Sequence, residues 1–182
     1  MARAPFAFEG PARAAVHHLK YRGVRGVGAA LARAMATCAP PGADVVTWVP
    51  LARRRKAERG FDQAKVLAVR IARELGIPVR GLVRRAVSTA PQAKRDAIER
   101  REAMRGSFTV RQRIQVPSSV LLVDDVLTTG ATAAACAEAL LEAGVDRVSL
   151  VVAARALLRS GPRAYTRPGP RPGLWLPGDD PR

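Results

Sequence analysis

The stretch Val120-Leu-Leu-Val-Asp-Asp-Val-Leu-Thr-Thr-Gly-Ala-Thr132 decides the fold of this chain. An apolar run predicts a buried strand over 118–123, and two adjacent carboxylates, Asp124 and Asp125, follow it. A loop of small residues then leads into a predicted helix over 133–143. The first N–H groups of a helix attract phosphate, and open α/β sheets bind ligands beyond the carboxyl ends of their strands. The two carboxylates could accept hydrogen bonds from hydroxyl groups, and the neighbouring amides could bind a phosphate. This combination suits a phosphorylated sugar.

The alternative interpretation of this segment is a strand, a tight turn and a capped helix that merely happen to be acidic. We favour a ligand site, because adjacent unpaired carboxylates repel each other and are rare by chance at a strand end. The segment is not a Walker loop, since no Gly-Lys-Ser/Thr follows it. Gly23, Gly26 and Gly28 form only a G-x-x-G-x-G pattern with no strand before it, so a dinucleotide fingerprint is set aside.

The composition indicates a globular α/β protein. The chain has 182 residues, of which 48% are hydrophobic and 4% aromatic, so one substantial core built mainly from Ala, Val, Leu and Ile is expected. No apolar run is long enough to insert into a membrane, and no signal-peptide pattern is present. Cys38 and Cys136 are too few for a zinc ribbon. We expect them to be reduced and buried in a cytoplasmic protein.

The net charge of +16 is concentrated in two stretches. Residues 51–65 hold six Lys/Arg against two acids, and residues 84–113 hold nine against three. Such clusters indicate a polyanionic partner, either nucleic acid or a highly phosphorylated small molecule. An Arg-rich composition that only keeps the surface solvated is the other interpretation. Few aromatic residues lie among these cations, although stacking of bases would need them.

Helices and strands are predicted to alternate, which favours a mainly parallel sheet. Four helices are predicted. Two cover residues 10–20 and 24–37, and the fourth follows the acidic pair. The third begins after the N-cap Asp62 and ends at Leu75, before Gly76. The predicted strands are 44–49, 106–110, 118–123 and 148–153, and residues 79–83 are predicted to form a short strand or an extended passage. We expect an Arg-rich loop after Pro50 and expect Trp48 to lie in the core.

The predicted domain organisation is one domain and a tail. The domain covers residues 1–159 and includes a polar, basic flap over about 84–113. Residues 160–182 form an irregular tail rich in Pro, Gly and Arg.

Three further segments accompany the acidic motif in a fixed order. They are His18-Leu-Lys-Tyr-Arg-Gly23, Val49 to Ala64 with its Arg-Gly-Phe-Asp-Gln-Ala, and Thr89-Ala-Pro-Gln92 with Arg105-Gly-Ser-Phe108. Together the four segments resemble the ComF/GntX-like family, which is linked to DNA uptake in competent bacteria. The acidic motif itself resembles the phosphoribosyl pyrophosphate (PRPP) motif of type I phosphoribosyltransferases. The chain departs from the family at Asp62, Arg95 and Ala103, where members usually have Asn, an apolar residue and Asn. We also expect it to lack the cysteine zinc module with which many members begin.

The resemblance implies a type I phosphoribosyltransferase fold, in which a mainly parallel central sheet is flanked by helices and carries a small helical and flap hood. It also implies a site. Asp124 and Asp125 are the implied catalytic residues and would hold the ribose hydroxyls, directly or through water bound to Mg²⁺. The implied ligands of the 5′-phosphate are Thr128, Thr129, Gly130, Ala131 and Thr132. The residues implied at the pyrophosphate end and beside it are Pro50, Leu51, Arg59 and Lys20, with Gln63 and Gln92 as weaker candidates.

Three functions are left open by the sequence. The first is an enzyme that transfers phosphoribose from PRPP to an unknown nitrogen acceptor and releases pyrophosphate. The second is a non-catalytic competence factor that binds single-stranded DNA or nucleotide along the basic stretches. The third is a PRPP-sensing regulator. Proteins of the competence machinery and a second copy of the chain are further candidate partners.

Overall fold

The computed structural model describes residues 1–22, 25–86, 106–111 and 115–156. Most of the predicted flap and the whole predicted tail, with Gln92, lie outside the described residues. In chain order the described elements are β1 (Ala2–Arg3), β2 (Phe6–Ala7), α1 (Gly10–Arg22), α2 (Arg25–Cys38), β3 (Val45–Trp48), α3 (Arg53–Arg59), α4 (Gln63–Leu75), β4 (Val83–Arg85), β5 (Phe108–Val110), β6 (Ser119–Leu127), α5 (Ala131–Glu142) and β7 (Arg147–Arg155).

A parallel sheet forms the centre of the molecule. Its order is β3-β6-β7, and β1 and β2 follow one another along the outer edge of β7. At the opposite edge Val79 forms a single parallel bridge to Val46. β4 and β5 form a separate antiparallel pair. The predicted class, a mainly parallel sheet flanked by helices, is confirmed.

Two apolar layers cover the faces of this sheet. α1, α2 and α4 pack on one face together with Leu121 and Val123 of β6. α5 and the β4–β5 pair pack on the other face together with Val120 and Leu122. This alternation follows from the two-residue period of a strand. Both faces of β6 are therefore buried, which explains its continuous apolar run.

The structure corrects the sequence prediction for two elements and two side chains. The Arg-rich stretch after Pro50 is the helix α3 and not a loop; none of its residues is buried, so it gives no apolar periodicity. β6 continues through the acidic pair to Leu127, because its pairing with β7 extends that far. Trp48 is half-buried and borders the core, and Cys38 is partly exposed whereas Cys136 is fully buried.

The ends of α4 agree with the prediction. The Asp62 side chain accepts a hydrogen bond from the Lys65 N–H as the N-cap, and Gly76 ends the helix in the left-handed conformation at φ 68°. Asp62 fixes where α4 begins and Gly76 where it ends, and Gln63 is thereby the first residue of the helix.

Candidate functional site

The acidic pair lies inside β6, near the C-terminal end of the sheet. Successive side chains of a strand point to opposite faces. Asp125 accordingly contacts residues of α1 and α4, whereas Asp124 lies towards α5, where its charge acts on the Cys136 thiol. The two carboxylates therefore have different surroundings although they are neighbours in sequence.

Asp125 is a buried carboxylate with two described partners. The Lys20 ammonium lies 3.1 Å from its Oδ2, and the Gln63 amide donates to the same oxygen at 3.1 Å. Asp125 is only 7% exposed, so both contacts are shielded from bulk water. Gln63 is itself buried, and its Oε1 has no hydrogen-bond partner among the described residues.

Asp124 has little compensation for its charge. Its Oδ1 accepts a hydrogen bond from the Asp125 N–H at 2.8 Å. Burial, followed by the like charge of Asp125, raises the pKa of Asp124 well above its usual value, and Lys20 opposes this shift. Burial and the charge of Asp124 also raise the pKa of Cys136. A bound cation at Asp124 would therefore relieve an unfavourable interaction.

The acidic pair forms one wall of a cleft of about 140 Å³. Three carboxylates and four cations line it: Asp62, Asp124, Asp125, Lys20, Arg55, Arg59 and Arg85. Thr132 of α5 and the loop residues Pro50 and Leu51 complete the side where β3 and β6 end. The cleft thus combines acceptors for hydroxyls or a cation with donors for an anion.

The loop after β3 is held from two sides. The Leu51 N–H donates to Asp62 Oδ2 at 3.1 Å, while Asp62 Oδ1 accepts the Lys65 N–H at 3.2 Å. From the other side the Arg85 Nε donates to the Pro50 carbonyl at 3.2 Å. The loop is therefore fixed to both α4 and β4.

Arg55 and Arg85 line the cleft although the sequence reasoning named neither, and Arg85 comes from the more distant element. Its guanidinium lies 4.8 Å from the centre of the Phe108 ring, and burial lowers its pKa. In sequence it is one of nine cations between 84 and 113. Nothing in the sequence distinguishes Arg85 from Arg84; in the structure β4 alternates, so that Arg84 is exposed and Arg85 is partly buried.

The Thr/Gly loop follows β6 directly. Thr128 and Thr129 are exposed, and Gly130 precedes α5 in the left-handed conformation at φ 74° without a side-chain cap. Ala131 is buried at the start of the helix, and Thr132 lines the cleft. The structure thus brings Lys20, Pro50, Leu51, Arg59, Asp124, Asp125 and Thr132 to one cleft, and leaves Thr128 to Ala131 on the adjoining loop.

Oxygen ligands at this site fit a hard cation. The described residues contain no group of three or more His, Cys, Asp or Glu side chains that could hold a metal alone. Mg²⁺, however, is commonly bound by one or two carboxylates together with waters and ligand phosphates. Asp124 and Asp125 both line the cleft, so one or both could supply such a carboxylate. In the described part of the chain, no helix is long and apolar enough to span a membrane.

The chain is similar in sequence to bacterial proteins. The chain is 32% identical over 151 residues to the DNA utilization protein YhgH of Salmonella typhi, covering 78% of this chain and 66% of that protein. It is 34% identical over 111 residues to competence protein F of Haemophilus influenzae, covering 59% and 48%. The chain thus spans 48% to 66% of the length of these relatives. No protein-family model matches it.

A solved structure shares the fold. Glutamine phosphoribosylpyrophosphate amidotransferase from B. subtilis, complexed with ADP and GMP, superposes with a TM-score of 0.50 at 22% identity. The superposition covers 74% of this chain and 30% of that enzyme. At this identity the similarity concerns the fold alone, and it supports the phosphoribosyltransferase type that the motif indicated.

Proposed function

Since the chain belongs to the ComF/GntX-like family and has the type I phosphoribosyltransferase fold, we propose that its cleft binds PRPP together with Mg²⁺ and transfers the phosphoribosyl group to a nitrogen acceptor. One observation carries the proposal. The acidic pair and four cations line one cleft at the C-terminal end of a parallel sheet, and the Thr/Gly loop that leads into α5 adjoins it. A ligand with hydroxyls at its centre and phosphates at both ends matches this arrangement.

The ribose would lie against the acidic pair. Asp124 and Asp125 would hold Mg²⁺ and the ribose hydroxyls, and the metal would supply positive charge to the departing pyrophosphate. Burial and the charge of Asp125 raise the pKa of Asp124, and a cation bound there would favour its ionised carboxylate. Lys20 and Gln63 keep Asp125 in place from the α1 and α4 side.

The two ends of PRPP would take different donors. The N-cap Gly130 of α5 has no side chain to accept the helix amides, and the Ala131 N–H makes only a long contact, 3.4 Å, to Thr129 Oγ1. A 5′-phosphate would replace this contact and use the first amides of the helix together with the Thr132 hydroxyl. Arg55, Arg59 and Arg85 would face the pyrophosphate. Their charges stabilise the leaving group as the C1–O bond breaks and the nitrogen–C1 bond forms, and the nitrogen then loses its proton.

Calorimetry with PRPP and Mg²⁺ tests this proposal. We expect micromolar binding by the wild-type protein and its loss in the Asp124→Asn/Asp125→Asn double variant. The matched control is Glu142→Gln/Asp146→Asn, which also removes two negative charges but at exposed positions outside the cleft. No binding by the folded wild-type protein would contradict the proposal. Binding without release of pyrophosphate in any acceptor screen would favour the PRPP-sensing regulator.

A second candidate function is supported by a groove of about 480 Å³ between α3 and α4. Its lining combines an aromatic ring and two valines with four cations: Phe61, Val66, Val69, Lys56, Lys65, Arg70 and Arg73, with Asp62 at one end. Single-stranded DNA binds to surfaces that pair such cations with a ring for stacking. The names of the relatives, a competence protein and a DNA utilization protein, agree with such a ligand.

The two functions can be separated by one pair of variants. Asp125→Asn is expected to abolish PRPP binding and to leave DNA binding nearly intact, whereas Phe61→Ala is expected to weaken DNA binding only. DNA binding should also fall steeply with salt, because bound cations release counterions from the strand. Equal loss of both ligands in Asp125→Asn would contradict two separate surfaces.

A further inference from the structure

Asp62 lies between the cleft and the groove and lines both. It is 9% exposed, and each of its carboxylate oxygens accepts one backbone hydrogen bond, from the Leu51 N–H and from the Lys65 N–H. The Lys65 contact caps α4. The Leu51 contact is different, because it occupies an amide of the loop that lines the cation-rich end of the cleft.

Both features of Asp62 oppose an anion at that end of the cleft. The Leu51 amide is a donor that a phosphate oxygen could otherwise use, and the carboxylate already holds it. The carboxylate also adds a negative charge to the wall that carries Arg55 and Arg59. Two like charges at short range in a partly buried site repel each other strongly.

We propose that Asp62 is a specificity-determining residue that weakens binding of a diphosphate group in the cleft relative to ligands that lack one. The inference rests on the proposed function, since the diphosphate in question is that of PRPP. Replacement by Asn isolates the effect. An amide has one acceptor oxygen, which can keep the N-cap bond to Lys65, while its NH₂ group would then face the Leu51 N–H and release it. Asn caps helices about as well as Asp.

The experiment compares the affinities for PRPP and ribose 5-phosphate, with Mg²⁺ present, in the wild type and in Asp62→Asn. We expect PRPP to bind about tenfold more tightly in Asp62→Asn, the gain of one hydrogen bond to a charged group. Ribose 5-phosphate should change little, because it has no diphosphate. Glu58→Gln is the matched control, since Glu58 pairs with Arg54 on α3 and does not line the cleft. An unchanged or lower affinity ratio in Asp62→Asn, or an equal rise in Glu58→Gln, would overturn the proposal.

Hydrogen exchange of the Leu51 amide gives a second readout. It should be faster in Asp62→Asn than in the wild type, because the bond to the carboxylate is lost, and exchange at an unchanged rate would contradict the proposal. Should Asp62→Asn not fold, Asp62→Ser removes the charge and keeps an N-cap oxygen. The outcomes also separate the two proposals. If the wild type binds PRPP but the ratio does not change, only the role of Asp62 fails; if neither protein binds PRPP, both proposals fail.

Discussion

Lys20→Met is expected to destabilise the protein because it leaves the acidic pair without its ammonium. The Lys20 Nζ lies 3.1 Å from Asp125 Oδ2. At this distance the attraction is about 5 kcal/mol for an effective dielectric constant of roughly 20. The Lys20 side chain is 20% exposed, so water screens part of this attraction, and the lysine loses rotamer freedom when it pairs. We therefore expect a net loss of about 2 kcal/mol, since methionine retains the packing of the stem.

Thermal unfolding measures this loss. For a chain of this size about 1 kcal/mol corresponds to roughly 2–4 °C, so Lys20→Met should lower the Tm by about 4–8 °C. Asp125→Asn alone should cost less, because asparagine can still accept from Gln63 and the repulsion with Asp124 disappears. In the Asp125→Asn background, Lys20→Met should change the Tm by less than about 2 °C. An equal drop in both backgrounds would refute the reasoning and assign the effect of Lys20 to packing.

Three further predictions concern other parts of the structure. A Cβ at Gly81 would lie 2.9 Å from the Trp48 ring, so Gly81→Ala should lower the free energy of unfolding by about 1–3 kcal/mol in a denaturant titration. Adding Trp48→Leu should restore most of the lost stability, and an unfolding midpoint of Gly81→Ala equal to that of the wild type would contradict the clash. Cys136 is buried, so in the native state a thiol reagent should modify only Cys38, and two reactive thiols would be inconsistent with the core. Burial also raises the pKa of Cys136, so the folded state holds this proton more tightly than the unfolded state, and the free energy of unfolding should fall as the pH rises above the usual thiol pKa of about 8.5. Arg85→Met should weaken pyrophosphate binding about tenfold while the packing on β5 is retained, and unchanged binding in calorimetry would remove this residue from the site.

The fold could be predicted from the sequence where a local signal and the tertiary structure agree. β6 was recognised because both of its faces are buried, and α4 because Asp62 and Gly76 mark its ends. α3 could not be recognised, since it buries no residue and is held by one Arg54–Glu58 pair and a glycine end. β1 and β2 have two residues each, and only their pairing with β7 makes them strands.

The site was predictable in part for a similar reason. The acidic pair, Lys20, Arg59 and Thr132 belong to contiguous motifs, and the structure brings them to one cleft. Arg85 comes from a different element, so its place depends on how β4 packs beside the loop after β3. The side chains of Asp124 and Asp125 lie on opposite faces of β6 because the strand continues through both residues. The apolar pattern of the sequence predicts a strand that ends at Val123. Most of the predicted flap lies outside the described residues, its two ends form β4 and β5, and the domain division remains a prediction.

The short strands at the start of the chain have a practical consequence for handling the protein. β1 and β2 cover the outer edge of β7, a strand in which seven consecutive residues, Val148 to Ala154, are buried. Deleting residues 1–7 would expose a long apolar edge with unpaired backbone groups, which is a template for pairing with a second molecule. Trimmed variants should therefore precipitate or dimerise through β7, and purification tags that crowd this segment risk the same outcome.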